Sequence, residues 1–211
     1  MNKMTAYSAG VNYLATIEKN SNVAVPIPLP HTVTDDKHHC FQGYAPRGWT
    51  RQIADIIEPF IDVGQSDSSD TCADVMSLLE TYDYLKLYGL DCEASVQLLN
   101  CLPNRALDDR QNNAPSLHCL LDMCVHGGSD IDLSGYVITP LRCDERISID
   151  ALMVYRFGNS SCDIAGMTPE EVWKHVVELG NMQCFATSPD EIIWRRPFWA
   201  PHRQGWWIWW D

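Results

Sequence analysis

The sequence lacks the short motifs that announce common chemistries. It contains no G-x-S-x-G, no phosphate-binding G-x-x-x-x-G-K-[ST], no G-x-G-x-x-G and no H-E-x-x-H. A serine-hydrolase elbow, a nucleotide cradle, a dinucleotide turn and a zinc-protease helix are therefore not expected. No apolar run approaches the ~20 residues that a bilayer-spanning helix needs. The start, MNKMTAYSAGVNYLATIEKN, has no continuous apolar core of the signal-peptide kind, so an intracellular, cytoplasmic protein is expected. Basic residues are scarce. Lys and Arg number 15 against 28 Asp and Glu, for a net charge of −13, a balance that repels nucleic-acid phosphates and favours a basic partner.

Paired cysteines are also missing. Nine cysteines are scattered from Cys40 to Cys184 with no C-x-x-C, and free cysteine among leucines behaves as a small hydrophobe. Reduced, mostly buried thiols are the expectation, because a disulfide framework belongs to small, loop-rich chains in oxidising compartments. Two sets of polar side chains have the chemistry of metal ligands: Asp35, Asp36, His38, His39 and Cys40, then His118, Cys119, Asp122, Cys124 and His126. Neither has the paired spacing of structural zinc sites, so no metal and no cofactor are expected. A thiolate and base within Cys40/His38/His39 or Cys124/His126 is disfavoured too, since sequence neighbours seldom have the geometry of a catalytic pair.

At 211 residues the chain is long enough to bury a full core. Its clearest stretch is Asp70 to Leu102, DTCADVMSLLETYDYLKLYGLDCEASVQLLNCL. Val75, Leu78, Leu79, Tyr82 and Leu85 recur at helical spacing, with Asp70 or Thr71 as cap and Asp74, Ser77 and Thr81 on the wet side. Gly89 suits a left-handed helix end, Asp91 can cap a second helix, Ala94, Leu98, Cys101 and Leu102 share its face, and Pro103 stops it. The spacing thus predicts two helices joined by a tight corner.

Within that stretch LLETYDYLKLYGL resembles the LL-x-x-A-x-YL-x-x-x-GL signature of BTB/POZ domains and the related Skp adaptors. Upstream, Ala6 to Asn20 is similar to the family's small-residue helix, Asn22 to Val33 to its short strand ending in LP, and Ile53 to Gly64 to its next helix. Tyr82 departs from the pattern, standing where the family prefers a small residue. The segment from His31 to Trp49 is an insert with the character of a loop. The resemblance implies a BTB/POZ-like domain over residues 1–104, without the family's N-terminal hairpin. It also implies function carried on surfaces: a helical dimer interface and grooves for partner peptides.

Residues 105–115 read as a polar linker, and 116–211 as an α+β extension. There, Ser116 to Val125 is a helix with Leu117, Leu120, Leu121 and Val125 inward, ended by Gly127 and Gly128. Tyr136 to Phe157 is a pair of strands about Asp144-Glu145, with Ile147, Ile149, Ala151 and Met153 on one side. Thr168-Pro169-Glu170-Glu171 is a capping box with proline at the first helical position, and Val172, Val176 and Leu179 form the apolar face that follows. The fold class is therefore α+β.

The tail, IIWRRPFWAPHRQGWWIWWD, concentrates tryptophan and arginine, the residue types most enriched in interface hot spots. GWWIWWD reads as a final buried strand. Candidate partner-binding residues are Trp199, Arg203, Trp206, Trp207 and Trp209, with Asp74, Glu80 and Asp83 on the acidic side. The expected function is a non-enzymatic protein-protein interaction module, an assembly, adaptor or structural component that forms homo-oligomers. The alternative is an acidic inhibitor that mimics nucleic acid and blocks a basic enzyme; it requires the acids from Asp55 to Glu93 to form one face.

Overall fold

The computed structural model describes residues 44–62, 74–157, 164–180 and 187–211. The helix expected over Ala6 to Asn20 and the strand expected over Asn22 to Val33 lie outside them. Described α-helices are α1 (Ala54–Ile57), α2 (Val75–Thr81), α3 (Cys92–Cys101), α4 (Asn104–Leu107), α5 (Leu117–Gly127) and α6 (Pro169–Leu179). Strands are β1 (Tyr84–Leu90), β2 (Ile131–Ile138), β3 (Arg146–Val154), β4 (Glu191–Arg195) and β5 (Gly205–Trp209). The strands form one antiparallel sheet in the order β1-β2-β3-β5-β4. The class is α+β, with the helices gathered on one face of the sheet.

The expected two-helix corner is where the structure departs first. After α2 the chain extends at Tyr82 (φ −111°, ψ 144°) and runs as β1, with Leu85 and Leu87 buried and Tyr84 and Lys86 exposed. Leu85 fits either a helical stripe or a strand's alternation. The alternation of Tyr-Leu-Lys-Leu-Tyr suits a half-buried pleat, and pairing with β2 decides the matter. Tyr82 is left exposed. The corner is stitched by Thr139, whose hydroxyl donates to Tyr82 O (2.6 Å) and whose N–H donates to Asp83 O (3.0 Å).

Other local expectations hold. Asp91 caps α3 by accepting from Ala94 N, and Ala94, Leu98 and Leu102 are buried, although Cys101 is exposed. Ser116 caps α5, with Leu117, Leu120 and Leu121 inward and Val125 half-buried. Both bonds of the Thr168/Glu171 capping box are present, and Val172 and Val176 are buried while Leu179 is exposed. The helix expected from Ile53 is shorter, a single α-turn between 3₁₀ turns at Trp49–Ile53 and Glu58–Phe60.

The linker expected at 105–115 is instead part of the folded unit. Ala106, Leu107 and Ala114 are buried in the common core, β1 from before it pairs with β2 from after it, and all described residues fall in one unit, Asp36–Asp211. Its polar residues are exposed or half-buried, and the intervening apolar ones set its position.

Two β-bulges, each an extra residue on one strand of a pair, set which side chains reach the core. On β1, Tyr88 pairs with Ser134 and Leu90 with Leu133, leaving Gly89 extra at φ +72°. On β3, Ile149 pairs with Gly135 and Ala151 with Ser134, leaving Asp150 extra. Each bulge switches parity. Ile147 and Ile149 face the helices, but beyond the bulge Leu152 and Val154 do so. Met153 turns to the second face, where it packs with Tyr155 and Ala200. The strand expectation that set Ile147, Ile149, Ala151 and Met153 on one side is corrected by this single extra residue.

The β2–β3 turn also anchors the start of the described chain. Glu145, 3% exposed, accepts from Gly48 N (2.6 Å), Thr50 N (2.8 Å) and Thr50 Oγ1 (2.7 Å), while Arg47 donates to Pro140 O and Leu141 O. Glu145→Ala leaves these buried donors without their acceptor and is expected to lower stability by about 3 kcal/mol. Urea unfolding followed by tryptophan fluorescence measures this; a loss no larger than that of an exposed substitution contradicts the anchoring role.

Candidate functional site

The sheet's second face, away from the helices, gathers the tail aromatics. Residues 196–204 leave β4, cross that face and return as β5, laying Phe198 and Trp199 beside Tyr88 of β1. Tyr88 stacks on Trp199 (centroids 5.4 Å apart, planes at 21°) and meets Phe198 edge-on at 4.8 Å. Phe198 and Trp199 are themselves perpendicular, and Trp199 reaches Trp207 at 6.1 Å. Gly89 is required here twice over, by its positive φ and because a Cβ would collide with the Trp199 indole. Arg195 lies over the Trp207 ring at 5.0 Å.

The strap is latched to the sheet by Asp132. Its Oδ2 accepts from Tyr155 Oη (2.6 Å) and from Trp199 Nε1 (3.2 Å). Arg203 lies over the Tyr155 ring, 3.5 Å from its centroid, and donates to Ser129 O. Burial raises the Asp132 carboxyl pKa, and the hydrogen bonds from Tyr155 and Trp199 and the Arg203 charge act against that rise. Tyr155 is pushed up by burial and by the same hydrogen bond. A carboxylate already engaged by a phenol and an indole is suited to holding the strap. Asp132→Ala removes both hydrogen bonds and is expected to cost about 2 kcal/mol, measured by urea unfolding; an unchanged midpoint contradicts the latch.

The alternation of β5 divides the tail candidates. Trp207 and Trp209 lie on the second face with Trp199 and Arg203, all half-buried. Trp206 is buried toward the helices, where its Nε1 donates to Ile164 O (2.8 Å), so it is a core residue and leaves the partner surface. The reading of GWWIWWD as a buried strand is correct, with β5 paired on both sides. Tyr88, Arg195 and Phe198 belong to the cluster but were missed. Phe198 is the most exposed large apolar side chain described, at 60%. Its signal was only the aromatic density around Pro197.

The acidic candidates lie apart, in and after α2. Asp74 accepts from Met76 N and Ser77 N as N-cap, rather than standing idle on a wet face, and Glu80 pairs with Arg51 at 3.4 Å. Asp83 is exposed beside the β1 corner. Asp91, also in the acidic stretch, is a cap. The Asp74, Glu80 and Asp91 carboxylates thus have local structural duties, which accounts for part of the acidity.

Among the described residues no group of three or more His, Cys, Asp or Glu is arranged to hold a metal, and no helix is long and apolar enough to cross a membrane. Cys119 is disulfide-bonded, which corrects the expectation of reduced thiols at that position; Cys92, Cys101, Cys124 and Cys143 are free, and of these only Cys124 is buried. Burial pushes the Cys124 thiol up to about 12, the opposite of nucleophile activation.

Asp150, the bulged residue of β3, has its carboxyl raised to about 6 by burial, against a hydrogen bond from the Trp209 side chain that pulls the other way. With the folded value above the unfolded one, its contribution to stability is fully present below pH 3.8 and is lost as pH rises through about 6. Asp150→Asn is expected to remove about 2 kcal/mol of pH-dependent stability over that window. Parallel unfolding curves for the variant and the parent chain between pH 4 and 7 contradict this.

No family model matches the chain, no curated protein is significantly similar to it, and no solved structure matches it.

Proposed function

We propose that the chain is a non-enzymatic interaction module, an assembly or adaptor component that self-associates through apolar surface. The observation that carries the reading is Phe198, 60% exposed and held rigidly by Tyr88 and Trp199. Through Trp199 and Trp207 it is continuous with Ile193, 38% exposed on β4. Aromatic side chains fixed on a sheet give up little conformational entropy on binding and bury much area, the character of an interface anchor. The polar groups beneath them are engaged in latching the strap, which leaves recognition rather than chemistry as the use of this face. Function on surfaces is also what the resemblance to BTB/POZ domains implies, although Tyr84–Leu90 of the matching segment forms strand β1 in place of helix, and no ubiquitin-ligase role is carried over with it.

The test is solution mass by light scattering at low and high salt. A dimer or larger species that persists at about 1 M salt is expected, because apolar contacts are not screened. A monomer in both conditions contradicts self-association. Dissociation by salt would instead indicate an electrostatic interface.

A further inference from the structure

The sheet ends at β4, and among the described residues no strand pairs with its outer edge. The direction of its free backbone groups follows from the ladder. Trp210 N donates to Asp150 O, and Ala151 is the register partner of Trp209. Residues of β5 in step with Trp210 therefore bond to β3, and those in step with Trp209 bond to β4. Trp209 O accepts from Asp190 N, in agreement. Since Ile193 is opposite Trp207, Ile193 bonds inward, and Ile192 and Trp194 direct their N–H and C=O groups away from the sheet. Side chains follow the same alternation: Ile192 and Trp194 pack partly against the helical core, and Glu191, Ile193 and Arg195 lie on the second face.

We infer that this edge pairs antiparallel with the β4 edge of a second copy of the chain, centred on Ile193, joining two five-stranded sheets into one. The inference rests on the self-association proposed above and assigns it a contact at the β4 edge; Phe198, packed beside Tyr88 of β1 at the other end of the sheet, lies outside that contact. The strand Glu-Ile-Ile-Trp-Arg is self-complementary in that register. Glu191 meets Arg195 of the second copy, Ile192 meets Trp194, and Ile193 meets its own equivalent on the twofold axis, as an isologous contact requires. The outward backbone groups of Ile192 and Trp194 face those of Trp194 and Ile192 across the axis, so each edge satisfies the other. An edge protected against pairing carries like charges or inward-pointing charges; this one carries opposite charges placed to meet. Pro189 and Pro197 flank the strand and limit the pairing to its five residues. The dimer should accordingly be of modest affinity and depend on concentration.

Charge reversal tests the register. Glu191→Arg sets arginine against Arg195 of the second copy, and Arg195→Glu sets glutamate against Glu191, so each is expected to raise the dimer dissociation constant about tenfold or more. The double reversal restores both pairs and should return to within about threefold of the parent. Sedimentation equilibrium over a concentration series gives the constants, with circular dichroism confirming that each variant is folded. If Arg195→Glu fails to fold for want of its contact with Trp207, Glu191→Arg and Ile193→Lys carry the test, and each should raise the dissociation constant about tenfold or more. A parent dimer whose constant is indifferent to Glu191→Arg and Ile193→Lys overturns this edge while leaving self-association standing. A parent chain monomeric at every concentration overturns both.

Discussion

The antiparallel ladder between β2 and β3 is the constraint on which the rest of the structure depends. Every other strand is placed by it, β1 against one side and β5, then β4, against the other. The turn that closes the pair holds the start of the described chain through Glu145 and Arg47. Where the ladder slips by one residue at Asp150 and again at Gly89, the side-chain pattern exchanges faces. That exchange puts Leu90, Leu152 and Val154 under the helices and turns Met153 and Tyr155 to the opposite side.

The two faces have different energetics. Toward the helices, leucine, isoleucine and valine bury apolar area without directional demands, at about 25 cal/mol per Å². The second face is built from aromatics and polar groups that need partners: Asp132 for Tyr155 and Trp199, the Tyr155 ring for Arg203, Trp209 for Asp150. Such a face is specified by hydrogen bonds and ring geometry, and it holds an exposed side chain such as Phe198 in place. Rigidity at low entropic cost is the property that an interaction surface needs, and the outer edge of β4, unpaired among the described residues, borders this face.

Much of the local structure was legible in the sequence because its causes are local. The capping box at Thr168 and Glu171, the caps at Asp91 and Ser116, the inward leucines of α5 and the burial of the GWWIWWD strand all follow from neighbours within a few residues. The departures have long-range causes. At β1 Leu85 satisfies both the helical and the strand periodicity, and only β2, more than forty residues away, selects the strand. In the segment at 105–115 the polar residues that suggest a linker outnumber Ala106, Leu107 and Ala114, which dock into a core supplied by distant elements. Of the candidate site, the tryptophan-rich tail was visible as composition, but the removal of Trp206 to the core and the inclusion of Tyr88 and Phe198 were not.

The sequence by itself determined the α+β class, the helix starts and stops, the acidic balance and the presence of an aromatic tail, since each is a matter of residue type and short-range spacing. Only the tertiary structure decided which face each aromatic occupies, that Asp132 latches the strap, and that β4 is the last strand of the sheet among the described residues. Strand order and bulge position are settled by pairing across the chain, and a one-residue slip in that pairing reassigns every side chain beyond it.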